Sequence, residues 1–449
     1  MDTVESSKSS VSQIRTLIDA GTHQDIISLM GQLRPEDLAD VLESSPPAQR
    51  TVLWNLFEEA QQREIIQHID EELVPSLLGD KSVEEISNVL EKVHDDDLTD
   101  ILQQLPATLT RQVLQAMDAQ DRSRVESLLS YPEDSAGGMM DTDTISVRAQ
   151  VTLDVVLRYL RRHSNLPPMT DNIFVVNTND EFVGMLPLTT LLVSDTRLTV
   201  QEMMITEAET ITAEMSEHDV AAIFERYDLV SAPVLDQDNK LLGRITIDDV
   251  VDVIIDEADH SILGMAGLRE DDDLFAPIFR TAKSRAIWLG ANLITAFIAA
   301  SVIDIFKDTI EKVVALAVLM PIVASMGGVA GSQTLTLFIR NMAQDELFDR
   351  NLAWLTRREI AVGVINGCLW ALVVAVVASV FFQDSNLGLI IAAALVINLV
   401  VAAAAGALLP SLLRSIGIDP AIAGTVVLTT ITDVVGFLSF LGLATLFYA

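Results

Sequence analysis

Residues 320–340, MPIVASMGGVAGSQTLTLFIR, decide how the rest of the chain is read. The run is apolar enough to cross a bilayer, yet Pro321, Gly327, Gly328, Gly331, Ser332 and Gln333 lie in its middle. A span that only has to sit in lipid is better served by Leu, Ile and Val. Small residues let backbones approach closely, and broken or kinked helix geometry at membrane depth is tolerated only against protein or a water-filled cavity. The stretch therefore reads as one wall of an ion pathway, with bent backbone around residues 327–331 offering carbonyl oxygens. Its partner is Asp433, the one carboxylate near the centre of an apolar span, in VVLTTITDVVGFLSF. An ionised acid at that depth costs roughly +2.5 to +3.5 kcal/mol on insertion scales, so it is a functional candidate by default. A buried acid with a structural partner is the plainer reading, but no intramembrane Lys or Arg is available to pair with it.

Five apolar stretches are long enough to cross ~30 Å of hydrocarbon. They lie near 286–306, 313–339, 359–382, 387–413 and 421–447. With the N-terminus inside, the inner flanks hold Arg280, Lys283, Arg285, Arg340, Arg350, Arg357, Arg358 and Arg414, and the outer flanks only Lys307 and Lys312. Short cytoplasmic loops carry the basic excess. The expected orientation is a cytoplasmic N-terminus and an outside C-terminus. Before the first span, residues 274–288 alternate apolar residues with Arg280, Lys283 and Arg285, the pattern of a basic amphipathic helix at a membrane surface.

In the last span Thr425, Thr429 and Asp433 are four residues apart and share one helix face. A carboxylate with hydroxyls above it is hard-oxygen chemistry, suited to Mg²⁺ rather than soft metals. Asp419 precedes Pro420 at the start of this span. It reads first as an N-cap with Pro at N1, and alternatively as a group at a pore mouth.

The net charge of the 449-residue chain is −35. Residues 280–449 hold ten basic and ten acidic residues, so the whole imbalance lies in residues 1–279. That surface repels nucleic acid and anionic lipid and attracts cations. Solubility alone would explain such acidity in most proteins. A regulatory cation site gains weight here because the apolar half reads as a cation path. The single cysteine, Cys368, lies in an apolar span, so no disulfide framework is expected within one chain. The opening MDTVESSKSSVSQ has no apolar core and does not read as a signal peptide.

Residues 1–130 show helical periodicity and a local repeat. PEDLADVLE at 35–43 returns as DDDLTDILQ at 95–103. Each copy is an amphipathic helix opened by acids, followed by a proline turn (Pro46-Pro47, Pro106) and another helix. Stacked short helices predict a superhelical, solenoid-like domain, with an irregular helical bundle as the alternative. His23, His68 and His94 are scattered and form no catalytic constellation.

YPEDSAGGMM at 131–140 marks a change of pattern. A β-α-β-β-α order then appears twice. The first copy has a helix at 153–162 and strands at 173–176 and 182–186; the second has a helix at 217–226, strands at 233–235 and 241–245, and a helix from Asp248. Polar turns at 177–180 and 236–239, and Gly184 with Gly243, match at an offset of 59 residues. This tandem resembles a pair of CBS (cystathionine β-synthase) domains. In CBS domains that bind adenine nucleotides a T-x-x-D contacts phosphate and ribose, and the matching residues are Thr246 and Asp249 in GRITIDD. The first copy reads GMLPLTT and lacks that Asp, so one standard nucleotide site at most is implied. Thr246 capping the next helix, with or without a ligand, remains open.

The order of helical domain, Y-P-E-D-S-A-G-G, CBS pair and five spans resembles the MgtE family of Mg²⁺ channels and transporters over nearly the whole chain. The family motif P-x(5)-G-G-N-x-G-x-Q is matched by Pro321, Gly327, Gly328, Gly331 and Gln333, with Val329 where many members carry Asn. The family's central pore Asp is matched by Asp433, and G-x-D-P-A by Gly417, Asp419, Pro420 and Ala421. The resemblance implies a homodimer with a pore between the two membrane halves. It implies Mg²⁺ bound among cytosolic acids as a closing signal, for which the candidates are Asp95, Asp96, Asp97, Asp249, Asp252, Asp256, Glu257 and Asp259. ATP at the CBS pair is a modulator in some members. Val329 removes a side-chain amide from the pore motif.

The expected fold is a multidomain α and α+β membrane protein. It comprises a helical, superhelical N-terminal domain (1–130), tandem CBS domains (131–256), an acidic linker and amphipathic connecting helix (257–285), and a five-helix transmembrane domain (286–449). The expected function is a dimeric Mg²⁺ channel of the inner or plasma membrane, gated by intracellular Mg²⁺. Its expected pore residues are Asp433, Asp419, Gly328, Gly331, Gln333, Thr425 and Thr429. Two alternatives stand beside it. One is a proton- or Na⁺-coupled divalent metal transporter, with Asp433 carrying the coupling proton. The other is a membrane-anchored adenine-nucleotide sensor built on Thr246 and Asp249. An enzyme is not expected, since no nucleophile–base pair, Walker loop or zinc motif is found.

Overall fold

The computed structural model describes residues 30–448 apart from 32, 71–72, 80, 92, 163–165, 269–274, 277 and 345–347. His23 and the acids at 270–273 lie outside the described residues. The chain divides into two compact units, Met1–Ile255 and Asp256–Ala449.

The first unit opens with short helices, each ended by its own sequence. They are α1 (Pro35–Glu43), α2 (Pro47–Trp54), α3 (Glu59–Ile65), α4 (Val74–Leu78), α5 (Val83–Leu90), α6 (Asp95–Gln104), α7 (Ala107–Ala116) and α8 (Ala119–Leu128). Pro stands at the first turn of α1, α2 and α4, where its missing N–H costs nothing. Ser82 and Glu85 close a reciprocal capping box on α5. The apolar faces meet in one shared core that runs from Leu38 and Leu42 through Trp54, Ile65 and Leu78 to Leu102 and Val125.

The junctions repeat. Helix ends leave carbonyls without intrahelical donors. At one junction Arg50 Nε donates to Leu42 O at 3.0 Å, and sixty residues on Thr110 Oγ1 donates to Leu102 O at 3.0 Å. Gln62 Nε2 donates to Trp54 O at 2.7 Å, and its counterpart Arg122 Nε donates to Leu114 O at 2.6 Å. Every donor stands eight residues after its acceptor, so α2, α3, α7 and α8 each cap the helix before them. The helices form a stack with a sixty-residue repeat.

Two three-stranded sheets follow in the same unit. β1 (Ser146–Arg148) runs parallel to β2 (Asn172–Val176), which pairs antiparallel with β3 (Phe182–Pro187). α9 (Leu153–Leu160) crosses between β1 and β2, and α10 (Leu188–Val193) and α11 (Val200–Met203) follow β3. The second sheet repeats the plan with β4 (Ile211–Thr212), α12 (Glu217–Tyr227), β5 (Ser231–Leu235) and β6 (Leu241–Thr246), leading into α13 (Ile247–Met265). Val175 pairs with Gly184 and Val234 with Gly243, and the register shifts by one residue just after each pair. The hairpin turns match as well, with Asp180 and Asn239 both at positive φ, 64° and 62°. Gly243 is needed for close approach: a Cβ there would stand 2.7 Å from Asp141 O, which accepts from Arg244 N at 2.9 Å.

The second unit holds five long apolar helices. They are α14 (Ile278–Ile305), α16 (Ala315–Gln344), α17 (Phe348–Phe382), α18 (Ser385–Ser415) and α19 (Pro420–Tyr448), with the short α15 (Lys307–Lys312) after α14. All five are long and apolar enough to span a membrane. α18 is the most buried and forms the centre of the bundle, and α14 is the most exposed. Residues 256–265, the second half of α13, belong to this unit. Gly264 packs on Ile422 and Ala421 at the start of α19.

Two expectations are corrected. Arg280, Lys283 and Arg285 form the first turns of α14 and not a separate surface helix, because the apolar run continues from them without a breaker. Asp256, Glu257 and Asp259 lie on α13 and not in an open linker.

Candidate ion path and acidic cluster

α16 has two faces. One lines a cleft of about 960 Å³ through Ala324, Ser325, Gly328, Val329, Ser332, Gln333, Thr336 and Leu337, and α19 adds Thr429 and Asp433 to the same walls. Asp433 is the single charged residue among these lining residues, and it is half-buried. The cleft thus joins one carboxylate to hydroxyls of Ser325, Ser332, Thr336 and Thr429 and the amide of Gln333. Set in an otherwise apolar wall, these few oxygen-bearing groups suit a hydrated hard cation.

The other face of α16 packs. Gly331 lies behind the cleft against Leu428, and its carbonyl would stand 2.7 Å from a Cβ at Gly406. Of the expected pore residues, Gly328, Gln333, Thr429 and Asp433 share the cleft; Gly331 and Thr425 are not among its lining residues. The expected break in α16 is absent. The helix is continuous from Ala315 to Gln344 with Pro321 inside it. Its backbone stays helical, and Gly327 and Gly331 serve helix approach while Gly328 faces the cleft. The oxygens offered to the cleft are side-chain oxygens.

Asp419 sits outside the cleft. Its Oδ1 accepts from Ala421 N at 2.7 Å, which makes it the N-cap of α19. Its Oδ2 lies 2.6 Å from His260 Nε2 on α13. The start of the last span is thereby tied to the second half of α13.

In the first unit the acids of α6 and of the start of α13 converge. Asp96 is buried, its Oδ1 has no hydrogen-bond partner, and its carboxyl is held well above the usual range by burial and by the charges of Asp97, Asp249 and Asp141. Asp97 is pushed up to about 6 by burial and by Asp141, Asp248 and Asp252, against a lowering pull from His94. Asp249 is likewise pushed up to about 6 by burial and Asp248. Burial also raises Asp141, although Arg244 faces it at 3.4 Å. Asp95 is already engaged, with Thr142 donating to it and Arg124 at 3.6 Å. Among the described residues no three His, Cys, Asp or Glu side chains are arranged to ligate one ion directly. The cluster as it stands is a set of mutually repelling carboxylates with an orphaned buried oxygen, the arrangement a divalent cation would relieve. Asp256, Glu257 and Asp259 belong to the other unit.

Thr246 and Asp249 meet. Thr246 N and Oγ1 both donate to Asp249 Oδ2, at 3.1 and 3.0 Å, and Thr246 Oγ1 also bonds Asp248. Asp249 thus holds the entry to α13, and it sits at once in the acidic cluster and in the T-x-x-D motif.

Four residues of these sites were not singled out from the sequence. Asp141 and Asp248 complete the cluster; Asp141 hides in a turn of ordinary polarity. Glu359 is buried beside Thr334, its Oε2 3.4 Å from the hydroxyl and its Oε1 2.9 Å from Arg358. Next to Arg357 and Arg358 it reads as an interfacial charge. Asn398 is fully buried behind the cleft, a single polar residue in a long apolar run.

Comparison with known proteins matches the chain domain by domain. The family profile described as "Divalent cation transporter" matches residues 320–443, that of the MgtE intracellular N domain residues 33–134, and that of the CBS domain residues 136–194 and 200–256. The chain is 28% identical to the magnesium transporter MgtE of Bacillus subtilis over 435 residues, covering 97% of this chain and 96% of that protein. It is 30% identical to the magnesium transporter MgtE of Thermus thermophilus over 440 residues, covering 96% and 97%. Among solved structures, the cytosolic domain of the Mg²⁺ channel MgtE in complex with ATP is 29% identical, with a TM-score of 0.49, over 54% of this chain and 99% of that one.

Proposed function

The chain belongs to the MgtE family of divalent cation transporters, and from that premise we propose that it conducts Mg²⁺ across the membrane as a homodimer, with the cleft of α16 and α19 as one half of the path. The observation that carries this reading is Asp433 as the lone charge on the wall of an open cleft. Mg²⁺ surrenders its water reluctantly, so one carboxylate among hydroxyls can attract and orient the hydrated ion without trapping it. A second copy closes the open side and sets two such carboxylates across the path. The soluble domains are cytoplasmic and the C-terminus lies outside.

Gating follows from the acidic cluster. When cytosolic Mg²⁺ is high, ions among Asp96, Asp97, Asp141 and Asp249 offset their repulsion and hold the helical stack on the CBS pair. When it is low, the repulsion loosens that contact. α13 carries Asp248, Asp249 and Asp252 at its start and His260 further on, so its movement reaches the Asp419 contact at the head of α19. ATP on Thr246 and Asp249 is a modulator in this scheme, because it would draw on the carboxylate that the cluster shares. The anchored-sensor alternative gives the cleft and Asp433 no use.

The test is Mg²⁺ uptake into liposomes that contain the purified protein and enclose a Mg²⁺-sensitive dye. The reading expects uptake that is suppressed by Mg²⁺ on the cytosolic face. No uptake from a Mg²⁺-free cytosolic face would sink it.

A further inference from the structure

Behind the cleft, one amide meets both of its walls. Asn398 on α18 has no exposed surface. Its Nδ2 donates to Val323 O on α16 at 2.9 Å. A Cβ at Gly327, one turn on from Val323, would overlap that amide. A Cβ at Gly436 on α19 would stand 2.9 Å from Nδ2 and 3.3 Å from Cγ. Two glycines on two different helices are therefore required by the same side chain.

The neighbours of those glycines are the residues that face the ion path. Gly328 follows Gly327 and lies on the cleft wall; Asp433 stands one turn before Gly436. We infer that Asn398 is a positioning residue for conduction: its amide sets the spacing and register of α16 and α19 that bring Gly328 and Asp433 onto one wall. This rests on the reading of the cleft as the Mg²⁺ path.

The choice of an amide is informative. Leu has the same branched shape, is bulkier, and would match the surrounding apolar residues. Asn instead leaves its Oδ1 buried without a partner, which costs free energy in an apolar interior. A directed donor is what Leu cannot supply. Bonded to one main-chain carbonyl, it selects a single axial and rotational setting of α16, where apolar packing alone tolerates sliding. A buried polar group that fixes register at the expense of stability is the best-attested use of such residues. The role matters more in this chain because Val329 offers no amide to the path and Gln333 is the only amide among the described residues of the wall.

The test uses full-length protein in liposomes, with Mg²⁺ flux measured against Mg²⁺ concentration, Mg²⁺-over-Ca²⁺ selectivity, and thermal unfolding in detergent. The variants are Asn398→Leu, Gly327→Ala, and Gly327→Ala with Asn398→Ala. Asn398→Leu should still fold, with the loss of an unpaired polar oxygen offsetting part of its tighter packing, yet lose about tenfold or more in flux at low Mg²⁺, with a raised half-saturation concentration and weaker selectivity; that is the scale of losses around metal sites when an outer partner is removed. Gly327→Ala alone should be nearly silent, and adding Asn398→Ala should restore much of the flux by vacating the space the added methyl needs. Wild-type half-saturation and selectivity in Asn398→Leu would overturn the inference. So would a Gly327→Ala defect that is the same whatever stands at 398. If Asn398→Leu does not fold, rescue or its absence in the paired variant decides alone. A silent wild type would overturn the Mg²⁺-path reading and this inference with it; a conducting wild type with indifferent variants overturns this inference only.

Discussion

His260 Nε2 lies 2.6 Å from Asp419 Oδ2, which ties helix α13 to the N-cap of the last membrane helix. The contact is part-exposed, 42% for the His side chain and 35% for the Asp. Its worth is therefore modest, about 1 kcal/mol, or roughly fivefold in a two-state equilibrium. If the clasp helps hold the path shut, His260→Ala should raise Mg²⁺ flux several-fold at inhibitory cytosolic Mg²⁺ and change little at low Mg²⁺. Flux assayed at both concentrations checks this. An equal change at both would assign the contact to folding and not to gating.

The acidic cluster makes the first unit pH-sensitive in a definite direction. Asp97 and Asp249 sit at about 6 when folded, above the ordinary carboxylate value near 4 that they recover on unfolding. Between those values the folded state keeps protons that the unfolded state has released. Stability therefore falls as pH rises through that window and is flat above it. In EDTA, thermal unfolding of the soluble unit within the full chain should come at a higher temperature near pH ~5 than near ~7.5. The difference should be on the order of 2 kcal/mol. Mg²⁺ added at the higher pH should restore it, and Asp97→Asn should weaken both responses. Stability that rises with pH would contradict the assigned repulsion.

Protease protection reads the same cluster independently. Low Mg²⁺ should expose the segment between the helical stack and the CBS pair to cleavage, and millimolar Mg²⁺ should protect it. Asp96→Ala removes the buried carboxylate with the orphaned oxygen. It should weaken the Mg²⁺ dependence, because one carboxylate of the cluster is gone while Asp97, Asp141 and Asp249 remain. Cleavage that ignores Mg²⁺ in the wild type would count against gating by these domains.

The helix stack has its own test. Arg50 is buried, and its guanidinium caps Leu42 O and Glu43 O at 3.0 and 3.2 Å. Arg50→Met keeps the stem, takes a charged donor from Glu43 O and leaves Leu42 O with Ser45 N alone, which should cost about 2 kcal/mol. Thr110→Val, the counterpart sixty residues later, loses a single neutral donor and should cost about 1 kcal/mol. Chemical denaturation of the two variants ranks them. Equal costs would show that the carbonyls find other donors.

Much of this was legible in the sequence, for identifiable reasons. Apolar runs of fixed length announce spans, and Asp433 stands out because a charge within such a run has few uses. The CBS copies were visible because Gly184 and Gly243, and the turns before them, recur at one offset. The helical repeat was visible in its leucines but not in its junctions, since Arg50 and Thr110 do the same work with different chemistry. The glycines of α16 read as serving both close packing and a bent backbone; the helix is unbroken, Gly327 and Gly331 pack, and Gly328 faces the cleft. Composition cannot tell a residue that bends a helix from one that lets a neighbour approach. Asn398 was not legible at all: its meaning depends on Gly327 and Gly436, which only the fold brings to it. The same holds for Asp141, which joins Asp96 and Asp97 through tertiary contact alone.

The central claim is that Asp433 lines the path that Mg²⁺ takes, and the most direct measurement is Mg²⁺ flux through Asp433→Asn beside the wild type in the same liposomes, with Mg²⁺ withheld from the cytosolic face. The substitution keeps shape and removes the charge. The account predicts a conducting wild type and a variant that is silent or no longer prefers Mg²⁺. Equal Mg²⁺ flux and selectivity through both would show that the ion passes elsewhere.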